Sequence, residues 1–142
     1  MHMNRNDLVR KIFSLVENSS ILTLPQMESD ACKTEEYKKG LYFLYDVNNV
    51  CIYVGKVGSG QTSLYHRMIG HAGGSHKQAD SRWYHLTKYG KWYKFDLDGK
   101  ELAFLERLAV YGMDQPIYND SDTDEVSIKE FVENNSTLFE NI

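Results

Sequence analysis

Apolar residues near the start of the chain recur at helical spacing. Between residues 6 and 17 they occupy positions 8, 9, 12, 13, 15 and 16, which predicts an amphipathic helix capped by Asn6 and covering one face of a core. Residues 21–24 form a short apolar run that Pro25 ends, which is compatible with a short strand. The polar stretch that follows, through Lys39, predicts a loop or turn.

Two runs rich in β-branched and aromatic residues come next, at 41–45 and 50–54. Residues of these types favour strands. The segment between the runs ends in Asn48-Asn49, and asparagine tolerates the positive φ of a tight turn. The two runs therefore predict a β-hairpin.

The predicted hairpin is followed by a glycine-rich segment, and further helices and a strand are predicted after that segment. Gly55, Gly58 and Gly60 let the backbone bend, but they match neither a P-loop nor a dinucleotide-binding pattern. The further predicted elements are a helix capped by Thr62 or Ser63 and running to about residue 71, a strand at 92–97 ended by Asp98-Gly99, an apolar helix at 100–112 that Pro116 stops, and a short helix at 127–134. These elements predict a mixed α/β domain of the α+β kind.

The composition suits one compact domain. The chain has 142 residues, of which 42% are hydrophobic and 13% aromatic, enough for a modest core. No apolar run approaches the roughly 18 residues that a membrane span needs, and the first residues lack a secretion-signal pattern, so we expect a cytoplasmic protein without membrane contact. Cys32 and Cys51 are too few for a disulfide framework and lack zinc-site spacing, so we expect reduced structural thiols.

Charge is unevenly distributed along the chain, whose net charge is -4. Residues 37–107 carry eleven Lys and Arg against six Asp and Glu, whereas residues 108–142 carry one against eight. A basic middle and an acidic end are compatible with a phosphate-binding face, although mixed surface charge is also normal in proteins.

Three groups of residues are candidates for chemistry. Arg67 and His71 stand four apart on one helix face, where they could orient a phosphate and exchange a proton, or could be an ordinary solvated pair. Glu106 lies in the apolar stripe of its helix, so its carboxylate needs a metal ion or a buried cation beside it. The competing acid, Glu101, is explained by a capping box with Asp98.

Two tyrosines on the predicted hairpin form the third group. Tyr42 and Tyr53 are expected to face one side of the sheet and could share protons, although strand tyrosines commonly just fill core surface. Asn119 follows Pro116 and also suits a simple turn.

The order and spacing of these residues resemble the signature of the GIY-YIG nuclease family. Gly40-Leu41-Tyr42 is similar to its first motif, with Leu for the usual Ile, and Tyr53-Val54-Gly55 to its second, with Val for Ile. The family's Arg followed four residues later by His or Tyr, and its metal-binding Glu followed by Pro-x-x-Asn, match Arg67, His71, Glu106 and Pro116-Ile117-Tyr118-Asn119.

The resemblance covers residues 40–119 and implies a small three-stranded antiparallel sheet flanked by helices. It implies a nuclease domain at 37–120, preceded by a helix and loop extension at 1–36 and followed by an acidic extension with a short helix at 121–142, all within one domain. The implied activity is an endonuclease that hydrolyses DNA phosphodiester bonds with one divalent cation, Mg²⁺ or Mn²⁺. The implied catalytic residues are Tyr42, Tyr53, Arg67, His71, Glu106 and Asn119, with Glu106 as the metal ligand.

A mechanism follows from the resemblance. The cation on Glu106 would neutralise charge on the scissile phosphate, Arg67 would bind that phosphate, and Tyr53 would position phosphate or water. Tyr42, with its proton made more acidic by nearby positive charge, and His71 are alternatives for the base that deprotonates the attacking water. Asn119 would brace the pocket.

Other basic residues are candidates for contact with DNA, although their surroundings also suit a half-buried strand edge. They are Lys56, His76, Lys77, Arg82, Lys88 and Lys91. The alternatives left open are a module of the same fold that binds nucleic acid without cutting it or cuts only with a partner, and a protein-interaction domain that uses the acidic tail. A chain of this size also leaves open a homodimer or a targeting partner protein.

Overall fold

The computed structural model describes residues 5–58, 60–73 and 83–112. In these ranges the elements are α1 (Arg5–Glu17), β1 (Ile21–Thr23), α2 (Leu24–Met27), β2 (Gly40–Tyr45), β3 (Cys51–Val57), α3 (Leu64–His71), β4 (Tyr89–Lys94) and α4 (Gly99–Gly112). Short 3-10 helices lie at Asp30–Lys33, Glu35–Tyr37 and Tyr84–Leu86. The predicted helix at 127–134 and the extension at 121–142 lie outside the described residues.

The strands form one antiparallel sheet in the order β1-β4-β2-β3. The mixed α+β class is confirmed. The sheet has four strands in the described chain rather than the implied three, because β1 pairs with β4 and becomes an outer strand. β3 is the outer strand at the other side of the sheet, and it is the strand beside which the candidate chemistry lies.

Apolar layers cover both faces of the sheet. On one face Ile12 of α1 and Leu105 of α4 pack in a core with Leu41 and Phe43 of β2. On the other face, residues of α2 and α3 pack in a second core with Tyr42 of β2. Neighbouring residues of β2 thus enter opposite cores, as expected for a strand buried on both faces.

The caps predicted for two helices and one predicted turn residue agree with the structure. Asn49 adopts a φ of 62° in the hairpin turn, and Ser63 is the N-cap of α3. At the start of α4, the Glu101 amide donates to Asp98 Oδ1 at 2.8 Å and the Asp98 amide donates to Glu101 Oε1 at 3.2 Å. Both bonds of the expected capping box are therefore present.

Two predicted strand boundaries are wrong for local reasons. β3 continues to Val57, so Gly55 lies within the strand rather than in a bend after it. β4 spans residues 89–94 rather than 92–97. Its pairing begins early because the Lys88 amide already donates to the carbonyl of Tyr45 at 2.7 Å.

The N-terminal predictions need two further corrections. α1 begins at Arg5, so Asn6 lies inside the helix and is not its cap. The predicted loop before Lys39 contains α2 and two 3-10 helices. Pro25 ends β1 as expected but also stands in the first turn of α2, a position that proline tolerates because its missing amide has no helical partner there.

Candidate active site

The glycine of the second motif makes room for the tyrosine of the first. Tyr42 and Gly55 are direct partners across β2 and β3. A Cβ atom at Gly55 would overlap Cζ and the hydroxyl oxygen of Tyr42. The Tyr42 ring therefore lies against the backbone of β3 at Gly55, where the Cβ of any other residue would overlap it.

Gly40 has a similar role beside the neighbouring strand. A Cβ atom there would overlap the carbonyl oxygen of Tyr93 and come within 2.8 Å of the Trp92 ring. The two glycines of the paired motifs thus let β3 and β4 close tightly around β2, with the Tyr42 ring enclosed between its neighbours.

Tyr42 and Tyr53 face the same side of the sheet, as predicted. Tyr53 is paired with Leu44, two residues along β2 from Tyr42, and the two phenol rings are 6.1 Å apart between centroids. Their hydroxyls are hydrogen-bonded to each other. Tyr42 is fully enclosed, with 1% of its surface exposed, whereas Tyr53 is half-buried. Of the two phenols, Tyr53 is therefore the one nearer to solvent.

Helix α3 brings His71 to these tyrosines. Its Nε2 atom lies 2.7 Å from the Tyr42 hydroxyl, and this hydrogen bond is buried. The imidazole also packs against the edge of Tyr53, with 5.0 Å between ring centroids. Because Tyr42 is bonded to both Tyr53 and His71, its single proton can be donated to one of them while its oxygen accepts from the other. The three groups form a continuous path for a proton.

Local sequence fixes the orientation of α3. At its N-terminus, the Ser63 amide donates to His66 Nδ1 at 3.2 Å, and the Ser63 hydroxyl is 2.8 Å from the same nitrogen. Leu64 and Met68 bury one side of the helix in the core. His71 enters the core on that buried side, which the sequence could not distinguish from a solvated position.

Arg67 is half-buried one turn before His71. Its Nε atom is buried and has no hydrogen-bond partner within the described ranges. Burial raises the pKa of both Tyr42 and Glu106, and the positive charge of Arg67 partly opposes that rise in each. A guanidinium with an unused donor in this position is suited to an anionic ligand.

Glu106 reaches the outer edge of β3 from α4, on the other side of the sheet. Its carboxylate accepts a hydrogen bond from the Lys56 backbone amide. Burial raises the pKa of Glu106, while the positive charges of Lys56, Arg67 and Arg107 oppose that rise. Among the residues that the structure describes, no Lys or Arg nitrogen forms an ion pair with the Glu106 carboxylate within 4.0 Å.

The expected acidity of Tyr42 is wrong. Burial is the largest cause of a pKa well above 10 for this phenol, and the nearby Tyr53 and Glu106 raise it further, so the opposing charge of Arg67 is outweighed. A fully enclosed phenolate has lost its water, and one guanidinium does not replace that hydration. Tyr42 is a neutral hydrogen-bonding group in this structure.

Trp83 and Tyr84 belong to the same cluster, although the sequence alone did not identify them as part of it. The indole of Trp83 stacks on Tyr53 with 4.8 Å between ring centroids, and Tyr84 faces His71 at 6.2 Å. Both side chains are buried. Their aromatic character was visible in the sequence, but no spacing linked them to the hairpin.

The basic residues predicted to contact DNA divide into separate groups. Lys56 lies beside Glu106. Lys91 pairs with Phe43 on the opposite face of the sheet from Tyr42, with its ammonium 5.7 Å from the Tyr45 ring. Lys88 is exposed just before β4. The remaining candidates lie outside the described residues: His76, Lys77, Arg82 and Asn119.

The described residues contain no group of three or more His, Cys, Asp or Glu side chains that could enclose a metal ion. Of the candidate site residues that the structure describes, Glu106 is the acidic one. A single carboxylate fits an ion such as Mg²⁺, which keeps several waters and is commonly held jointly by one or two carboxylates and the phosphate of a substrate. It does not fit a zinc site, which needs three or four protein ligands.

Comparison of the sequence with known proteins identified no related protein. No protein-family model matches the chain, and no curated protein matches it. No helix in the described part of the chain is long and apolar enough to cross a membrane.

Proposed function

We propose that this chain is a divalent-metal-dependent endonuclease of the GIY-YIG type that hydrolyses phosphodiester bonds in DNA. The observation that carries the proposal is the 2.7 Å contact between the Tyr42 hydroxyl and His71 Nε2, formed where the charges of Arg67 and Glu106 also meet. These residues come from β2, α3 and α4, and Tyr53 adds β3. Core packing alone does not require a proton carrier, a guanidinium and a lone carboxylate at one place.

The proton path has a direction set by exposure. Tyr53 is half-buried, whereas Tyr42 and His71 are enclosed. An attacking water would give up its proton on the Tyr53 side, and the Tyr42 hydroxyl would pass a proton on to His71. His71 is the final acceptor, because an imidazole gains a proton near neutral pH far more readily than a phenol. This assigns the base to His71 rather than to Tyr42.

Arg67 and Lys56 supply the positive charge that a phosphate needs. The half-buried guanidinium of Arg67 would bind a phosphate oxygen, and Lys56 adds its charge near Glu106. Both groups would stabilise the extra negative charge that develops on the phosphate as water attacks. They are held in place before the substrate arrives, so little reorganisation is needed.

Glu106 would hold the divalent cation together with the substrate. Three cations near this carboxylate disfavour metal binding by the free protein, and a bound phosphate reverses that balance by adding negative charge. When bound there, Mg²⁺ or Mn²⁺ supplies Lewis-acid stabilisation of the scissile phosphate and the leaving oxygen. Glu106 orients it through a carboxylate that the Lys56 amide fixes in place.

The proposal is tested with a randomised DNA pool and a supercoiled plasmid, each incubated with Mn²⁺ or Mg²⁺ and the purified chain. Glu106→Gln and Arg67→Gln should each reduce the cleavage rate about 10²- to 10³-fold. Glu101→Gln is the matched control for Glu106, since glutamine keeps the capping box, and Arg10→Gln, which replaces an exposed residue, is the control for Arg67. Equal cutting by wild type and Glu106→Gln would refute the proposal.

A module that binds nucleic acid without cutting it is the second candidate. It is favoured by the enclosed Tyr42 hydroxyl, whose raised pKa keeps the phenol neutral. This candidate predicts DNA binding that weakens steeply as salt is raised, because counterions are released from phosphates. It also predicts no cleaved ends in the pool at any Mn²⁺ concentration, which separates it from the nuclease.

A further inference from the structure

Trp83 occupies a position from which it can control His71. Its indole is 4% exposed and precedes the 3-10 helix Tyr84–Leu86. The ring lies 5.4 Å from the His71 ring at an interplanar angle of 54°, and it stacks on Tyr53 at 4.8 Å and 21°. Trp83 thus contacts both the last and the first group of the proton path.

Besides Trp83, three aromatic side chains of the described residues contact the His71 imidazole. Tyr42 lies at one end of the ring, where its hydroxyl meets Nε2. Tyr53 packs at 72° against the imidazole, and Tyr84 faces it at 25°. The titratable groups that contact His71 within residues 5–58, 60–73 and 83–112 include three phenols, with Arg67 one turn away on its own helix. If the indole were removed, the ring would gain space to rotate about its side-chain bond, which would carry Nε2 away from Tyr42.

The other tryptophan gives a comparison within the same core. Trp92 is 8% exposed, pairs with the Tyr37 ring at 5.7 Å, and donates its indole N–H to the Glu36 carbonyl at 3.0 Å. Among the ring contacts of the described residues, it meets neither His71 nor Tyr53. Substitution of Trp92 therefore removes a similar apolar volume from this core without touching the imidazole.

We propose that Trp83 is a positioning residue that holds the His71 imidazole in the orientation bonded to Tyr42. The inference rests on the proposed function, because the bond between His71 and Tyr42 would serve the nuclease reaction. The orientation of the imidazole, however, is a property of the protein without DNA and can be measured there. Trp83 does not reach the substrate in this account. It acts through His71 and Tyr53, because its ring packs against both and keeps them in contact with each other.

The first arm of the test needs no DNA. Nitrogen-15 spectra of the histidine rings report which nitrogen carries the proton, and His71→Gln identifies the His71 signals. We expect one fixed tautomer for His71 in the wild type, in Trp83→Phe and in Trp92→Leu, and a mixture of tautomers in Trp83→Leu. A single unchanged tautomer in Trp83→Leu would overturn the proposal. If that variant does not fold, Trp83→Met takes its place, because the flexible thioether fills more of the space.

The second arm follows cleavage as a function of pH in the same proteins. Trp83→Leu should lower kcat roughly 10- to 100-fold with little change in KM, since a misplaced proton acceptor costs about this much. The His71 limb of its pH–rate profile should also move, whereas Trp83→Phe should restore both, and Trp92→Leu should leave the profile unchanged. A wild-type profile in Trp83→Leu would contradict the proposal. If no protein cuts DNA, the nuclease proposal fails, and the tautomer spectra still decide the role of Trp83.

Discussion

Substitution of Gly55 by alanine should damage the fold through one contact. The new Cβ would overlap Cζ and the hydroxyl of Tyr42, a side chain that is 1% exposed and tied to His71 at 2.7 Å. Overpacking of an enclosed core group costs about 1–3 kcal/mol. Weakening of the buried hydrogen bond adds about 0.5–1.5 kcal/mol, and the lower chain entropy of alanine returns about 0.4–1 kcal/mol. The net loss of unfolding free energy should be roughly 0.5–4 kcal/mol.

Urea denaturation followed by circular dichroism measures this loss. Gly99→Ala is the matched control, since the nearest atom to its new Cβ is the Gly58 carbonyl oxygen at an ordinary 3.4 Å. A double-mutant cycle with Tyr42→Ala isolates the contact, because Gly55→Ala should cost almost nothing once the ring is absent. The reasoning is refuted if Gly55→Ala costs the same in both backgrounds, or if it is as stable as Gly99→Ala.

Three further predictions concern a charge, a hydroxyl and a cap. Burial raises the pKa of Glu106, so the folded protein has its full stability below the ordinary pKa of 4.5 and loses part of it as the pH rises through the folded-state value. Metal-free Glu106→Gln should therefore melt at a higher temperature than wild type at about pH 8 and at the same temperature near about pH 4, and a calorimetric scan that finds no pH dependence would contradict this. Tyr42→Phe should reduce kcat roughly 10- to 100-fold because it breaks the proton path, with salt-dependent DNA binding unchanged; cleavage at the wild-type rate would remove Tyr42 from the path. Asp98→Ala should lower the unfolding free energy by about 1 kcal/mol through loss of its 2.8 Å bond to the Glu101 amide. Asp96→Ala, on the other side of Leu97, should change the urea midpoint little.

The hairpin and the capped helices were predictable because their signals are local. Asn49, Ser63 and the pair Asp98 and Glu101 each act on backbone groups within a few residues, so sequence spacing specifies them. The four-stranded sheet was harder to predict, since a three-residue run such as β1 becomes a strand only because it pairs with the backbone of β4. Pro25 predicts the end of a strand, but proline also suits the first turn of a helix, where it stands in α2.

For the candidate site, the sequence predicted which residues take part but not how deeply each side chain is buried. Motif spacing named Tyr42, Tyr53, Arg67, His71 and Glu106, but it carried no information about burial. The pKa of Tyr42 was therefore predicted in the wrong direction, because the desolvation of its hydroxyl depends on three elements packed around it. Trp83 was overlooked as part of the cluster for the same reason, since only the folded chain brings it from beyond residue 82 to the Tyr53 ring.

The most direct test of the account is the rate of Mn²⁺-dependent DNA cleavage by wild type, Glu106→Gln and Glu101→Gln, measured on one randomised pool at equal folded concentration. We predict that wild type and Glu101→Gln cut at similar rates and that Glu106→Gln is slower by about 10²- to 10³-fold. Cleavage by Glu106→Gln at the wild-type rate, or metal-independent cleavage by all three proteins, would contradict the claim that this carboxylate, beside Tyr42 and His71, forms a nuclease centre.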